Sequence, residues 1–155
     1  MLRSDGFTSV EAMMTGQPGT LTTRPLVWDA ALQHLFVNVV IQPAGFFQAA
    51  VLDAEGDGQV LAGLSLANST VGGIGAGRCV GDEAEPFDST RARVQWEGGA
   101  QIGAVSGKTV RLQFRFAAAS LYSFWLAPSA CGASGGYLGG GGPGSVGGRD
   151  TKGGC

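Results

Sequence analysis

The sequence predicts an all-β chain: an antiparallel two-sheet β-sandwich, jelly-roll-like, of about eight strands. Three observations carry this expectation. Apolar and polar residues alternate at period two in several windows. No window of about eleven residues shows the 3.6-residue period of a helix. Gly, Pro or Asp punctuates the chain roughly every 8–15 residues, the spacing expected of short strands joined by turns.

Taken in order, 7–14 and 20–28 read as the first two strands. In 34–41, Leu35, Val37, Val39 and Ile41 alternate with His34, Phe36, Asn38 and Val40. The second face is itself partly apolar, so this strand is expected to be central or partly covered. Phe47, Ala49 and Val51 line one face of the next strand. Asp53-Ala54-Glu55-Gly56-Asp57-Gly58 is dense in turn formers, and a short strand is expected over 59–62. A long Gly-rich and acidic connection spans about 67–89, too long to be a simple turn. Residues 90–97 place Ala92, Val94 and Trp96 on one face, with Arg91, Arg93 and Gln95 on the other. Gly98-Gly99 and Ser106-Gly107 bracket the next connection. In 108–116, Val110, Leu112, Phe114 and Phe116 alternate strictly with Thr109, Arg111, Gln113 and Arg115. The last strand, 120–127, is apolar on both sides. These elements make a β-sandwich domain over 1–127. Residues 128–155 hold 12 of the 28 glycines. They have too few apolar side chains to offset an ordering entropy, and are expected to form a flexible, disordered tail.

The 155 residues suffice for one domain with a real core. The net charge of −2 argues against a nucleic-acid partner, which needs a basic footprint. No apolar run approaches the roughly 20 residues of a membrane span, so no membrane partner is expected. The first six residues turn polar before an apolar stretch can form, so no secretory leader is expected.

Several constellations were weighed for chemistry. Cys79, Cys131 and Cys155 form no CxxC pair, and His34 is the one histidine, so no zinc site of the usual kind can be assembled and no cofactor is implied. Unpaired thiols are the expected state, with a Cys79–Cys131 bridge as the alternative. Asp53-x-Glu55-x-Asp57-Gly58 imitates the start of a calcium loop, but the twelfth position is Leu64 rather than a bidentate Glu, so a hairpin turn is expected. The run Asp82, Glu83, Glu85, Asp88 holds carboxylates that glycoside hydrolysis would require in facing pairs; in a Gly-rich loop, solvation is the plainer account. Gly72-Gly73-Ile74-Gly75-Ala76-Gly77 lacks the Lys-Ser/Thr ending and the following helix of a phosphate loop. Asn68-Ser69-Thr70 matches a glycosylation acceptor in what should be a surface loop. Arg91, Arg93, Arg111 and Arg115 would form a basic stripe if their strands were neighbours; a solvated outer face is the alternative. Trp28, Trp96 and Trp125, with His34, are the candidate binding residues, because pyranose C–H faces stack on aromatic rings. For the tryptophans a place in the core is the competing assignment, and for His34 a satisfied position on its strand. No catalytic residue is proposed.

Several segments together resemble a known family. They include Arg3-Ser4-Asp5-Gly6-Phe7-Thr8-Ser9-Val10, Gly19-Thr20-Leu21-Thr22-Thr23-Arg24-Pro25-Leu26, Val51-Leu52-Asp53-Ala54-Glu55-Gly56, Gly63-Leu64-Ser65-Leu66, Val94-Gln95-Trp96-Glu97-Gly98-Gly99 and the 106–116 run from Ser106 to Phe116. Their order and spacing, over roughly 2–127, resemble the C-terminal β-sandwich of proteins similar to glycoside hydrolase family 32, the invertase and levanase group. There a five-bladed propeller precedes the sandwich. The family continues its Gly-Phe/Leu-Ser-Leu segment with Glu-Asp-Cys, where this chain has Ala67-Asn68-Ser69 and an insertion through about Pro86. The family's catalytic carboxylates lie in the propeller, and its motifs do not occur here, so no catalytic residue carries over. The resemblance implies a non-catalytic accessory module, not itself an enzyme, that packs on a propeller or binds carbohydrate weakly. The alternatives are a glycoside hydrolase using the acidic loop around Glu83 and Glu85, and a structural or interaction module.

Overall fold

The computed structural model describes residues 8–13, 17–72 and 86–132, together with the backbone of 145–146 and 149–150. The chain is all-β and antiparallel. Its strands are β1 (Val10–Ala12), β2 (Gly19–Thr22), β3 (His34–Asp53), β4 (Ser69–Val71), β5 (Phe87–Trp96), β6 (Val110–Ala127), β7 (Ser145–Val146) and β8 (Arg149–Asp150). Short 3-10 turns occupy Leu66–Asn68, Glu97–Gly99 and Ile102–Val105. Six strands form one hydrogen-bonded sheet in the order β1-β6-β3-β5-β4, with β2 also on β6. The strand expected over 59–62 is reduced to a single bridge between Val60 and Leu52.

The architecture rests on the β3–β6 pair. The runs at 34–41 and 47–51, separate in the sequence pattern, are one 20-residue strand, and those at 108–116 and 120–127 merge into one of 18. Both strands bend at the same place. Ile41 faces Ala119 and Phe46 faces Ala117, so the four residues 42–45 stand against Ala118 alone. Extra residues on one side of a ladder curve it sharply. Ala44 and Ala118 take positive φ values of 63° and 47° here. Gly45 is needed at the bend: a Cβ there would lie 2.6–2.8 Å from the carbonyl oxygens of Gln42, Ala117 and Ala118.

The bend folds the sheet over its own apolar face. Phe114 and Phe124 are ten positions apart on β6, about 33 Å along a straight strand, yet their ring centroids are 5.2 Å apart. Phe47 joins them, 5.7 Å from Phe114 and 5.5 Å from Phe116. Leu35, Val37, Val39 and Ile41 from one half of β3, Ala49 and Val51 from the other, and Val94 and Trp96 from β5 complete a single core.

Bending also parts β5 from the second half of β3, which leaves backbone groups there to be satisfied. Ala49 N–H donates to Ser69 Oγ at 2.9 Å, and Ala49 C=O accepts from Trp96 Nε1 at 3.0 Å. Ser69 Oγ in turn donates to Leu66 C=O at 2.9 Å. Farther along, Val51 exchanges hydrogen bonds with Leu61 and Leu64, and Asp53 N–H donates to Gln59 C=O. The Asp53–Gly58 segment is the expected turn: Asp53 Oδ1 accepts from Glu55 N–H at 2.9 Å, and Gly58 takes a φ of 69°.

The central position of β3 accounts for its apolar second face. Phe36 lies opposite Trp125 on β6 and Arg93 on β5. Its ring stacks on Trp125 with centroids 5.7 Å apart. Residues 128–132, at the head of the Gly-rich segment, complete the cover: Trp125 Nε1 donates to Gly132 C=O at 3.1 Å, and Gly132 is buried. Cys131 is half of a disulfide, which corrects the expectation of unpaired thiols at this position; its partner lies outside the described residues. Within the segment, Ser145 pairs with Asp150 and Val146 with Arg149. The flexible tail expected over 128–155 otherwise falls outside the described residues.

Candidate functional site

At the end of the sheet where β3 begins and β5 ends lies a cavity of about 120 Å³. That is room for several waters or one small polar group. Its apolar wall is Leu35, Val94, Trp96 and Ile102; its polar groups are Gln33, His34, Arg93, Gln95 and Gln101. The register explains the grouping. Leu35 pairs with Val94, which sets His34 beside Gln95 and Phe36 beside Arg93. The connection after β5 then folds back through its 3-10 turns and brings Gln101 and Ile102 to the same place. Gln33 is fixed by a hydrogen bond from its side-chain amide to Ala30 C=O. It packs so closely on Gly103 that a Cβ there would strike its amide.

The cavity's described lining includes the charged Arg93. Among the described residues that line it, Arg93 and His34 are the ionisable ones, and no carboxylate accompanies them. Arg93 Nε is buried with no hydrogen-bond partner. His34 is half-buried, and its pKa falls below the ordinary 6.5, first because burial strips water from the charged form and second because the Arg93 charge repels a proton. A wall of apolar side chains with a few convergent polar groups is the composition of a binding site. The described lining offers hydrogen bonds and positive charge; among the described residues it holds no nucleophile beside a base and no facing pair of acids.

Of the four candidate binding residues, the cavity unites His34 and Trp96. Trp96 is 5% exposed and contributes an edge to the wall, its N–H spent on Ala49. Trp28 is 7% exposed and sits in the core, outside the cavity, with its Nε1 unpartnered among the described residues. Trp125 is half-buried and committed to Phe36 and Gly132. Trp28 and Trp96 are buried, and Phe36 stacks on the Trp125 ring. Sequence reasoning missed Gln33, Gln95 and Gln101 as site residues, and placed Arg93 only in a stripe. That stripe does not form, because β3 separates β5 from β6.

A second, shallower concavity of about 420 Å³ runs beside β1 and the bend, where Glu11, Met13, Gln42 and Tyr122 meet. Met13 in its lining and Val10 nearby on β1 are exposed. The acidic residues Asp82, Glu83 and Glu85, the glycines at 73, 75 and 77, and Cys79 lie outside the described residues; Asp88 is exposed on β5. Among the described residues no three His, Cys, Asp or Glu side chains converge as metal ligands. The glycosylation acceptor is not on an open loop: Ser69 is fully buried in the clasp on Ala49, and Asn68 is half-buried, accepting from Ser65 Oγ. No family model, curated protein or solved structure matches the chain.

Proposed function

We propose that the chain is a non-catalytic β accessory module that binds carbohydrate weakly through the cavity between β3 and β5. The supporting observation is the make-up of that cavity: three side-chain amides, an imidazole and a guanidinium around an apolar wall. Side-chain amides donate and accept, and a guanidinium donates, in the paired directions that neighbouring sugar hydroxyls present. The ligand class itself comes from the resemblance of the sequence to the sandwich module of family 32-like proteins. Weak binding follows from size, since a cavity of about 120 Å³ takes the edge of one sugar ring rather than a chain.

A second reading, packing on a propeller domain, draws on the exposed Val10 and Met13 beside the groove at β1. Titration of the full chain with fructo- and arabino-oligosaccharides, followed by amide NMR, separates the possibilities. The carbohydrate reading expects millimolar saturation, with shifts concentrated at Gln33, His34, Gln95 and Gln101. Shifts gathered at Val10–Ala12, or none, defeat it. Turnover of the sugar that disappears in Glu83→Gln and Glu85→Gln variants would make the chain a hydrolase.

A further inference from the structure

We infer that Gly103, outside the described lining of the cavity, is a positioning residue for it: the missing side chain is a dock that holds the Gln33 amide back and keeps the space open to a sugar. The inference rests on the carbohydrate reading above and deepens it.

The backbone does not require a glycine at 103. The residue lies inside the 3-10 turn Ile102–Val105 and takes no positive φ, so any L residue could adopt its conformation. A side chain is excluded by contact instead. A Cβ at Gly103 would stand 2.7 Å from Gln33 Nε2 and closer still to Cδ and Oε1 of the same amide. The three atoms nearest that position all belong to Gln33, so the obstacle is one side chain and not backbone.

The turn cannot retreat from an added methyl group. Ile102 and Val105 are buried in the core, and Gly103 C=O accepts from Ser106 N–H at 3.1 Å. The Gln33 backbone is held as well, its N–H donating to Ala127 C=O at 3.1 Å. What can move is the Gln33 amide, by rotation about the side-chain torsions. Moving it breaks the hydrogen bond to Ala30 C=O. The space that Gln33 already borders is the cavity, and an amide turned into about 120 Å³ displaces the edge of a sugar ring.

The test compares the full chain with its Gly103→Ala, Gln33→Ala and doubly substituted variants, by thermal denaturation and by amide NMR titration with fructo-oligosaccharides. Gly103→Ala should stay folded and shift the Gln33 side-chain NH2 signals before any sugar is added. It should bind at least about fivefold more weakly, the contribution of one ordinary hydrogen bond. In the Gln33→Ala chain the same change should cost no further affinity, because the group it displaces is gone. A glycine that merely stabilises the turn would weaken binding alike in both backgrounds, and that result overturns the inference. Unchanged affinity in Gly103→Ala overturns it too and leaves the carbohydrate reading standing. If Gly103→Ala alone fails to fold, the double variant decides. Folded and binding as Gln33→Ala does, it supports the inference; unfolded as well, it overturns it. No sugar binding by the unsubstituted chain ends the carbohydrate reading, and this inference with it.

Discussion

His34 shows how one strand position can be structural and sensitive at once. Its place at the start of β3 puts the imidazole beside Arg93 and half out of water, so its folded-state pKa is lower than the 6.5 of an exposed histidine. Burial is the larger cause and the Arg93 charge the smaller. The sign of the linkage follows. Between the lowered folded value and 6.5, the unfolded chain holds more protons at this position than the folded one. His34 therefore costs nothing above about pH 6.5, and its penalty grows as pH falls through that value toward the folded pKa. Urea denaturation at pH 7.5 and 5.5 checks this. The native chain should lose stability on acidification by more than a His34→Gln variant does. Equal losses in the two would mean that His34 does not sense Arg93 or its burial. His34 was legible as a candidate in the sequence, being the one histidine on a strand. Arg93 as its neighbour was not, because cross-strand partnership depends on a register that alternation alone does not set.

Among the elements, the long bent pair β3–β6 decides the fold. The alternation in 34–41, 47–51 and 108–116 was plain, and each window is a strand. What the pattern hid is continuity. Gln42-Pro43-Ala44-Gly45 reads as a turn between two strands, and in the structure it is a bulge within one. Pro and Gly are expected at both, so composition cannot separate them. Ser69 was misread for a related reason: in the sequence it belongs to a short glycosylation pattern, whereas the bend creates an unpaired Ala49 N–H that its hydroxyl must satisfy. The bend makes a sharp prediction. Gly45→Ala would press a methyl group onto three carbonyl oxygens belonging to the backbone, which cannot swing aside as a side chain can. The cost should reach about 3 kcal/mol in chemical denaturation, the upper range for overpacking. Ala44→Gly, one position earlier at a φ of 63°, should be neutral or stabilising because it relieves a left-handed backbone. If Gly45→Ala proves as benign as Ala44→Gly, the strand is not held in this bend.

For the molecule as a whole, the boundary at residue 127 is where composition and packing part company. The glycine count marks 128–155 as a tail, and nothing in a glycine signals that it will be buried. Yet Gly132 lies where a Cβ would be 2.7 Å from the Phe36 ring and 2.9 Å from the Arg91 side chain, with a φ of 76° that suits glycine. The need for a cover emerges only with the register, which sets Phe36 beside Trp125 as an apolar patch on the outer face of the sheet. A chain ending at Ala127 should therefore be less stable by about 1–3 kcal/mol. That is the order of re-exposing much of one aromatic side chain and losing one hydrogen bond. Its tryptophan fluorescence should shift to the red as Trp125 meets water. A truncated chain with unchanged midpoint and emission would show that 128–132 rests on the sheet without holding it. The consequence reaches the cavity, because Phe36, which the cover protects, stands directly across the ladder from Arg93. Loosening one end of that cross-strand row frees the other, so the truncated chain should also bind fructo- and arabino-oligosaccharides more weakly, even though 128–132 contributes no side chain to the described lining of the cavity.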